Sequence, residues 1–160
     1  MNKKIELKGQ CLCGEVKYKL SEKPLFTQAC HCKDCKVLTG SSYVINSSIL
    51  ENTLTITDGE LSATKKLIAG SGKFITIFFC KNCGAYIYTD YESAIGRLNV
   101  RTQTLENSKT FPPQAHIFTK DKDEWVNLSN IKNCFEKMYN PKETWPNESL
   151  QRYQEYIKIK

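Results

Sequence analysis

A chain of 160 residues with 40% hydrophobic content suits one globular domain large enough to bury a core, with a small extension at most. No apolar run approaches the ~20 residues that a membrane-crossing helix needs, and Met1 to Lys8 reads as polar rather than as a secretory leader, so a membrane protein is excluded and a reducing, cytoplasmic location is expected, with the nucleus left open. The formal charge of +6 comes from lysines scattered among acids with no basic run, which fits solvated surface and a mild attraction for small anionic ligands better than a nucleic-acid interface.

Ile5 and Leu7, then Val16, Tyr18 and Leu20, alternate with polar residues and predict two short strands flanking Cys11-Leu12-Cys13-Gly14. An extended backbone there puts both thiols on one face. Phe26 to Ala29 predicts a third strand running into Cys30-His31-Cys32-Lys33-Asp34-Cys35. Cys30 and Cys32 share a face, Cys35 returns through a turn or a single helical turn, and His31 points the other way. Strand character follows over Tyr43 to Ile45, Leu50 to Ile56 and Thr64 to Ala69, with a turn at Asp58-Gly59-Glu60 and a tight connection at Gly70-Ser71-Gly72. Phe74 to Phe79 is the most strongly β-like segment and delivers Cys80-Lys81-Asn82-Cys83-Gly84, which has the form of a zinc knuckle. Ala85 to Tyr88 leaves it as the second arm of a hairpin.

Ile95 to Val100 and Gln114 to Phe118 complete the predicted strands. Arg97 and Arg101 on the first are read as surface residues, and His116 on the second as structural. Asp121 to Trp125 is predicted as a turn with a tryptophan anchor, Cys134 as a packed thiol without a ligand role, and Pro141 to Pro146 as a linker. Asn147 is the expected N-cap of a helix whose apolar face carries Leu150, Tyr153 and Ile157. The division is residues 1–135 as a zinc-binding domain and 136–160 as a linker and helix packed on it.

Seven of the eight cysteines fall between Cys11 and Cys83. The simplest assignment joins Cys11 and Cys13 to Cys80 and Cys83 as a closed tetrahedral zinc site. Cys30, Cys32 and Cys35 are then left as a second site with an open position, the pattern of a catalytic metal. The alternative pairs Cys80 and Cys83 with two thiols of the Cys30 group, at the cost of splitting three sulfurs that converge locally. Three thiolates make zinc a weak Lewis acid for water but a good acceptor for an incoming thiolate, which points to a thiol substrate.

The series Gly9-x-Cys11-x-Cys13-Gly14-x-Val16-x-Tyr18, Cys30-His31-Cys32-x-x-Cys35, Gly40-Ser41 and Phe79-Cys80-x-x-Cys83-Gly84, with Ala115 to Phe118 and Trp125, resembles the glutathione-dependent formaldehyde-activating enzyme family, which includes centromere protein V. The resemblance covers roughly residues 7 to 129. It implies a mainly β protein, a β-tent of antiparallel sheets like that of methionine sulfoxide reductase B, pinned by a structural zinc at Cys11, Cys13, Cys80 and Cys83, with a catalytic zinc at Cys30, Cys32 and Cys35. The implied activity is of the carbon–sulfur lyase type, forming or cleaving S-(hydroxymethyl)glutathione or a related thiol adduct. Arg97, Arg101, Lys33 and Lys36 are candidate carboxylate contacts by charge alone. The competing expectations are a non-catalytic zinc module that binds chromatin or a protein, and a redox-active, metal-free Cys30 group.

Overall fold

The computed structural model describes residues 5–160, so the polar start at Met1 to Lys4 lies outside the described residues. Among the described residues, twelve short strands and three α-helices make a mainly β protein built on two sheets. The smaller sheet pairs β1 (Leu7–Gln10) with β2 (Lys17–Leu20) and β2 with β5 (Leu54–Asp58), all antiparallel. The larger is built around β3 (Phe26–Cys30), β4 (Val44–Leu50), β10 (Arg97–Arg101), β9 (Tyr86–Tyr91) and β8 (Phe74–Cys80), hydrogen-bonded in that order. At one edge β8 takes β6 (Leu61–Ala63) and β7 (Leu67–Ile68) as partners. At the other, β11 (Ala115–Ile117) and β12 (Cys134–Phe135) are added in parallel, so the sheet is mixed rather than wholly antiparallel as expected.

The strand period of two gives the larger sheet two different faces. On one face Ile49, Ile87 and Val100 meet Tyr18 and Leu20 of the smaller sheet, and Val16 just before it, in a core that also takes in Cys11 and Cys80. A buried hydroxyl ladder runs across the same face, Thr27 Oγ1 to Ser47 Oγ at 3.1 Å and Ser47 Oγ to Thr102 Oγ1 at 2.8 Å. On the other face a second core gathers Phe26, Cys30, Cys35, Leu50 and Ile117 with Tyr139 and Trp145 from the C-terminal segment. Each thiol cluster therefore belongs to a different core.

The C-terminal segment is less of a linker than its prolines predict. Pro141–Thr144 forms the short helix α2, begun by Asn140, whose side chain accepts from the Lys142 amide at 3.1 Å. Trp145 behind it is buried, stacked on Phe26 at 6.0 Å. The tryptophan anchor is Trp145, and not Trp125, which is 74% exposed. The last helix, α3 (Asn147–Lys158), starts on Asn147 itself behind Pro146 with no side-chain cap, so Asn147 is not the N-cap. Its Tyr153 hydroxyl donates to the Ile95 carbonyl at 2.9 Å. Tyr156 lies where a Cβ on Gly96 would come within 2.9 Å of its ring, so the helix seats against a glycine at φ +71.

Two other expectations change. The strand foreseen over Leu50 to Ile56 is broken by a 3-10 turn at Glu51–Thr53, where Thr53 Oγ1 donates to the Leu50 carbonyl at 2.7 Å and the chain passes from the larger sheet to the smaller. The strand foreseen over Thr64 to Ala69 shrinks to Leu67–Ile68.

Candidate metal centres and cavity

The chain brings seven cysteines together as two groups, Cys11, Cys13, Cys80 and Cys83, and Cys30, Cys32 and Cys35, with the sulfurs of each group within 4.8 Å of one another. All eight cysteines are free thiols. The alternative that splits the Cys30 group does not occur.

The four-thiol group sits where two turns meet. Cys11 and Cys13 lie in a turn after β1, closed by the Gly14 amide on the Cys11 carbonyl at 3.1 Å, and so are not in the extended segment foreseen. Cys80 ends β8, and the β8–β9 connection curls back with the Gly84 amide on the Cys80 carbonyl at 2.8 Å. Gly84 adopts φ +70, which glycine takes without a Cβ clash. Sulfur separations are 3.4 Å for Cys11–Cys13 and 3.8 Å for Cys13–Cys80. A tetrahedral zinc with bonds of about 2.3 Å sets its sulfurs about 3.8 Å apart, so the spacing fits. Donors already aim at the sulfurs: the Val16 amide at 3.2 Å from Cys11 Sγ and Asn82 Nδ2 at 3.6 Å from Cys13 Sγ. The Ala85 and Cys13 amides pull the Cys83 thiol down to about 6, toward the thiolate that a metal requires.

In the three-thiol group Cys30 ends β3, Cys32 caps α1 (Lys33–Thr39) with its sulfur 3.4 Å from the Cys35 amide, and Cys35 lies buried in the first turn. The helix has two turns where one was foreseen, and it closes at Gly40 with φ +64. Hydrogen bonds from Cys30 and Cys35 bring the Cys32 thiol down to about 2, while bonding to Cys32 and Cys35 together with burial drives Cys30 strongly up. One sulfur thus takes the charge at its neighbours' expense, a conflict that a divalent cation removes. Both groups fit zinc.

His31 joins neither group. It is fully buried, its Nε2 lies 2.9 Å from Nδ1 of His116, and Tyr43 packs 4.9 Å from its ring. Burial, then the neighbouring His116, pushes His31 down to about 4, and burial also lowers His116. Both rings are therefore neutral at pH 7, one nitrogen donating to the other, and the pair braces β11 against the turn that carries Cys32. Cys134 stays apart from both groups, half-buried, its Sγ 3.4 Å from the Ile131 carbonyl.

Cys30 and Cys32 open onto a cavity of about 460 Å³, a size typical of small-molecule sites. Its floor is polar, formed by Gln28, Asn46, Ser48 and Asn99, which the register of β3, β4 and β10 sets side by side. Lys33, Lys73, Lys120 and Arg97 line it against two acids, Asp34 and Asp121, leaving it basic. Lys36 does not line it, being engaged with Asp123 at 2.6 Å. Cys11 alone of its group borders a shallower cleft of about 380 Å³, and its sulfur already belongs to a closed set of four.

Both arginines read as surface residues are in fact built in. Arg101 is 6% exposed, donates to Asn46 Oδ1 at 2.6 Å and lies 3.6 Å over the Tyr86 ring. Arg97 is half-buried beneath Trp145 and Tyr153. The polar floor and the C-terminal wall, Met138 and Tyr139, escaped the sequence reading. The signal for the floor was Asn46 and Ser48, then Arg97, Asn99 and Arg101, polar at every second position of strands whose other residues are apolar or small.

The fold and the two thiol groups define a class: a small, mainly β protein with one closed four-cysteine site and one open three-cysteine site beside a basic cavity. The chain belongs to the glutathione-dependent formaldehyde-activating enzyme family, whose model matches residues 6–121. It is 24% identical over 131 residues, 81% of this chain and 90% of the relative, to a Schizosaccharomyces pombe protein named as an uncharacterized lyase. A crystal structure of a Rhodobacter sphaeroides protein matches at a TM-score of 0.48 with 18% identity, covering 80% of this chain and 98% of that one. No helix among the described residues is long and apolar enough to cross a membrane.

Proposed function

We propose that the protein is a lyase-type enzyme that forms or cleaves the adduct of a thiol with formaldehyde, S-(hydroxymethyl)glutathione or a close relative. The observation that carries this reading is the opening of the three-thiol group onto the basic cavity, while the four-thiol group closes on itself. Cys30, Cys32 and Cys35 would hold a zinc ion, which supplies an open position for a further sulfur donor.

The chain's own residues do the rest. The cations around the cavity draw an anionic thiol in and favour its thiolate, and the polar floor orients the chain behind the sulfur. The carbon–sulfur bond forms as the carbonyl π pair moves onto oxygen, which ends with the proton given up by the thiol. Cleavage is the reverse. Holding both reactants in one cavity supplies the acceleration by proximity. The family match and the lyase name of the yeast relative support the reaction class.

Exchange NMR on glutathione and formaldehyde tests it. The zinc-loaded protein should accelerate adduct formation, and Cys32→Ser should return the rate to the uncatalysed value. An equal rate with Cys32→Ser sinks the proposal.

A further inference from the structure

The C-terminal segment lies outside the family match, yet it shapes the cavity next to the three-thiol group. Two of its rings, Trp145 and Tyr153, cover Arg97 of β10, a cation on the cavity lining. The guanidinium lies 5.1 Å from the rings of both Trp145 and Tyr153, which hold its plane. Its Nη1 donates to Ser48 Oγ at 3.2 Å, while its buried Nε has no partner. Among the described residues it makes no ion pair, and it lines the cavity. A guanidinium has five donors, so most of this one is unspent. The aromatic clamp is itself tied down: Trp145 Nε1 donates to the Tyr139 hydroxyl at 2.9 Å, and that hydroxyl donates to Gln28 on the cavity floor.

The register gives the distance to the thiols. Ser48, which marks the level of the guanidinium, pairs with Phe26, and Cys30 follows four residues later on the same strand, about 13 Å away at ~3.3 Å per residue. Contacts at the two ends take up about half of that, and an extended peptide advances about 3.5 Å per residue. A thiol carried on two or three residues bridges the rest. Lys33, Lys73 and Lys120 add charge but are single-point donors on flexible stems, whereas a clamped guanidinium meets a carboxylate with two parallel bonds.

We infer that Arg97, clamped by Trp145 and Tyr153, is the carboxylate anchor of the cavity, and that it selects thiols carrying a carboxylate about a dipeptide to tripeptide length from the sulfur. The inference rests on the proposed function for the thiol, and its test dispenses with the reaction. S-methylglutathione has a blocked sulfur and undergoes no chemistry, so its binding to the zinc-loaded protein reports on the cavity alone.

Calorimetry should show the acid binding, with its diethyl ester and the shorter S-methylcysteine each at least about 10-fold weaker, since a charged bidentate contact accounts for roughly 10- to 100-fold. Arg97→Met should lose that preference for the acid over the ester, and Arg97→Lys should keep a part of it. Should Arg97→Met fail to fold, Arg97→Lys and Ser48→Ala carry the test, each narrowing the acid-to-ester ratio. Equal binding of acid and ester by the unsubstituted protein, equal binding of the short acid, no binding at all, or a ratio unchanged in the variants overturns the inference. Those results leave formaldehyde addition, measured separately, as the judge of the reaction.

Discussion

Gly9→Ala is a small substitution with a large expected effect. Gly9 pairs across the strands with Tyr18, and a Cβ there would lie 2.2 to 2.5 Å from three atoms of that side chain, two in the ring and the hydroxyl oxygen, against an ordinary contact of about 3.5 Å. The ring must move by roughly 1 Å, yet Tyr18 is 1% exposed in the core, and its hydroxyl is fixed to Thr104 Oγ1 at 2.7 Å. Overpacking of this kind costs about 1–3 kcal/mol, and losing the hydroxyl bond about 1 kcal/mol more. Alanine's restriction of the unfolded chain returns up to about 1 kcal/mol. The net loss of about 1–3 kcal/mol corresponds to a fall in Tm of about 3–10 °C for a chain of this size. Calorimetric melting of the zinc-loaded protein measures it. Replacing Tyr18 by Leu in the same chain removes the clash, so the double variant should melt above the sum of the two single losses. A Tm within about 1 °C of the parent, or strictly additive losses, refutes the reasoning.

The two thiol groups should separate on metal counting. Cys80→Ser is expected to retain less zinc and to lower the Tm sharply, because it opens the closed site beneath the core of the smaller sheet, whereas Cys32→Ser should lose one equivalent with a smaller effect on melting; equal destabilisation by the two would contradict this division. At Glu51, hydrogen bonds from Lys160 and Tyr156 hold the carboxyl below its ordinary range, so the unfolded chain binds a proton more readily and the contact stabilises at neutral pH but is lost as the pH falls through the depressed value. Urea unfolding of Glu51→Gln should therefore show a deficit at pH 7 that shrinks as the pH falls below the ordinary glutamate value of about 4.3, and a deficit that is constant with pH would exclude the mechanism.

What the sequence disclosed was what depends on short spacing. Two cysteines one or two residues apart converge whatever the rest of the chain does, and the Phe74 to Phe79 run has little choice but to be a strand. Hence the local thiol pairs, the Cys30 triplet and the mainly β class were legible in the sequence, and only the count of seven thiols joined the two distant pairs. The failures lie where distant segments decide. Trp145 stands among prolines that locally signal a linker, and only its stacking on Phe26, far back in sequence, makes it an anchor. Trp125 shows the opposite, a large apolar residue for which the fold supplies no cover. Arg97 and Arg101 carry charge that favours water in any local reading, and cross-strand neighbours and aromatic rings bring them inside. The parallel docking of β11 beside β3 spans the whole middle of the chain and left no local mark.

The three strands at the centre of the larger sheet turn residue parity into a division of labour. On β3 and β4 the even-numbered residues Gln28, Cys30, Asn46 and Ser48 face the cavity, and on β10 the odd-numbered Arg97 and Asn99 do. Their immediate neighbours Ser47, Ile49 and Val100 face the opposite core. Under the proposed function, substrate preference and structural integrity are thus written on alternate letters of the same short stretches. Variants can redraw what the protein accepts along one set while leaving the other set, and the four-thiol site behind it, untouched. A one-residue insertion in any of these strands would exchange the two sets and forfeit both.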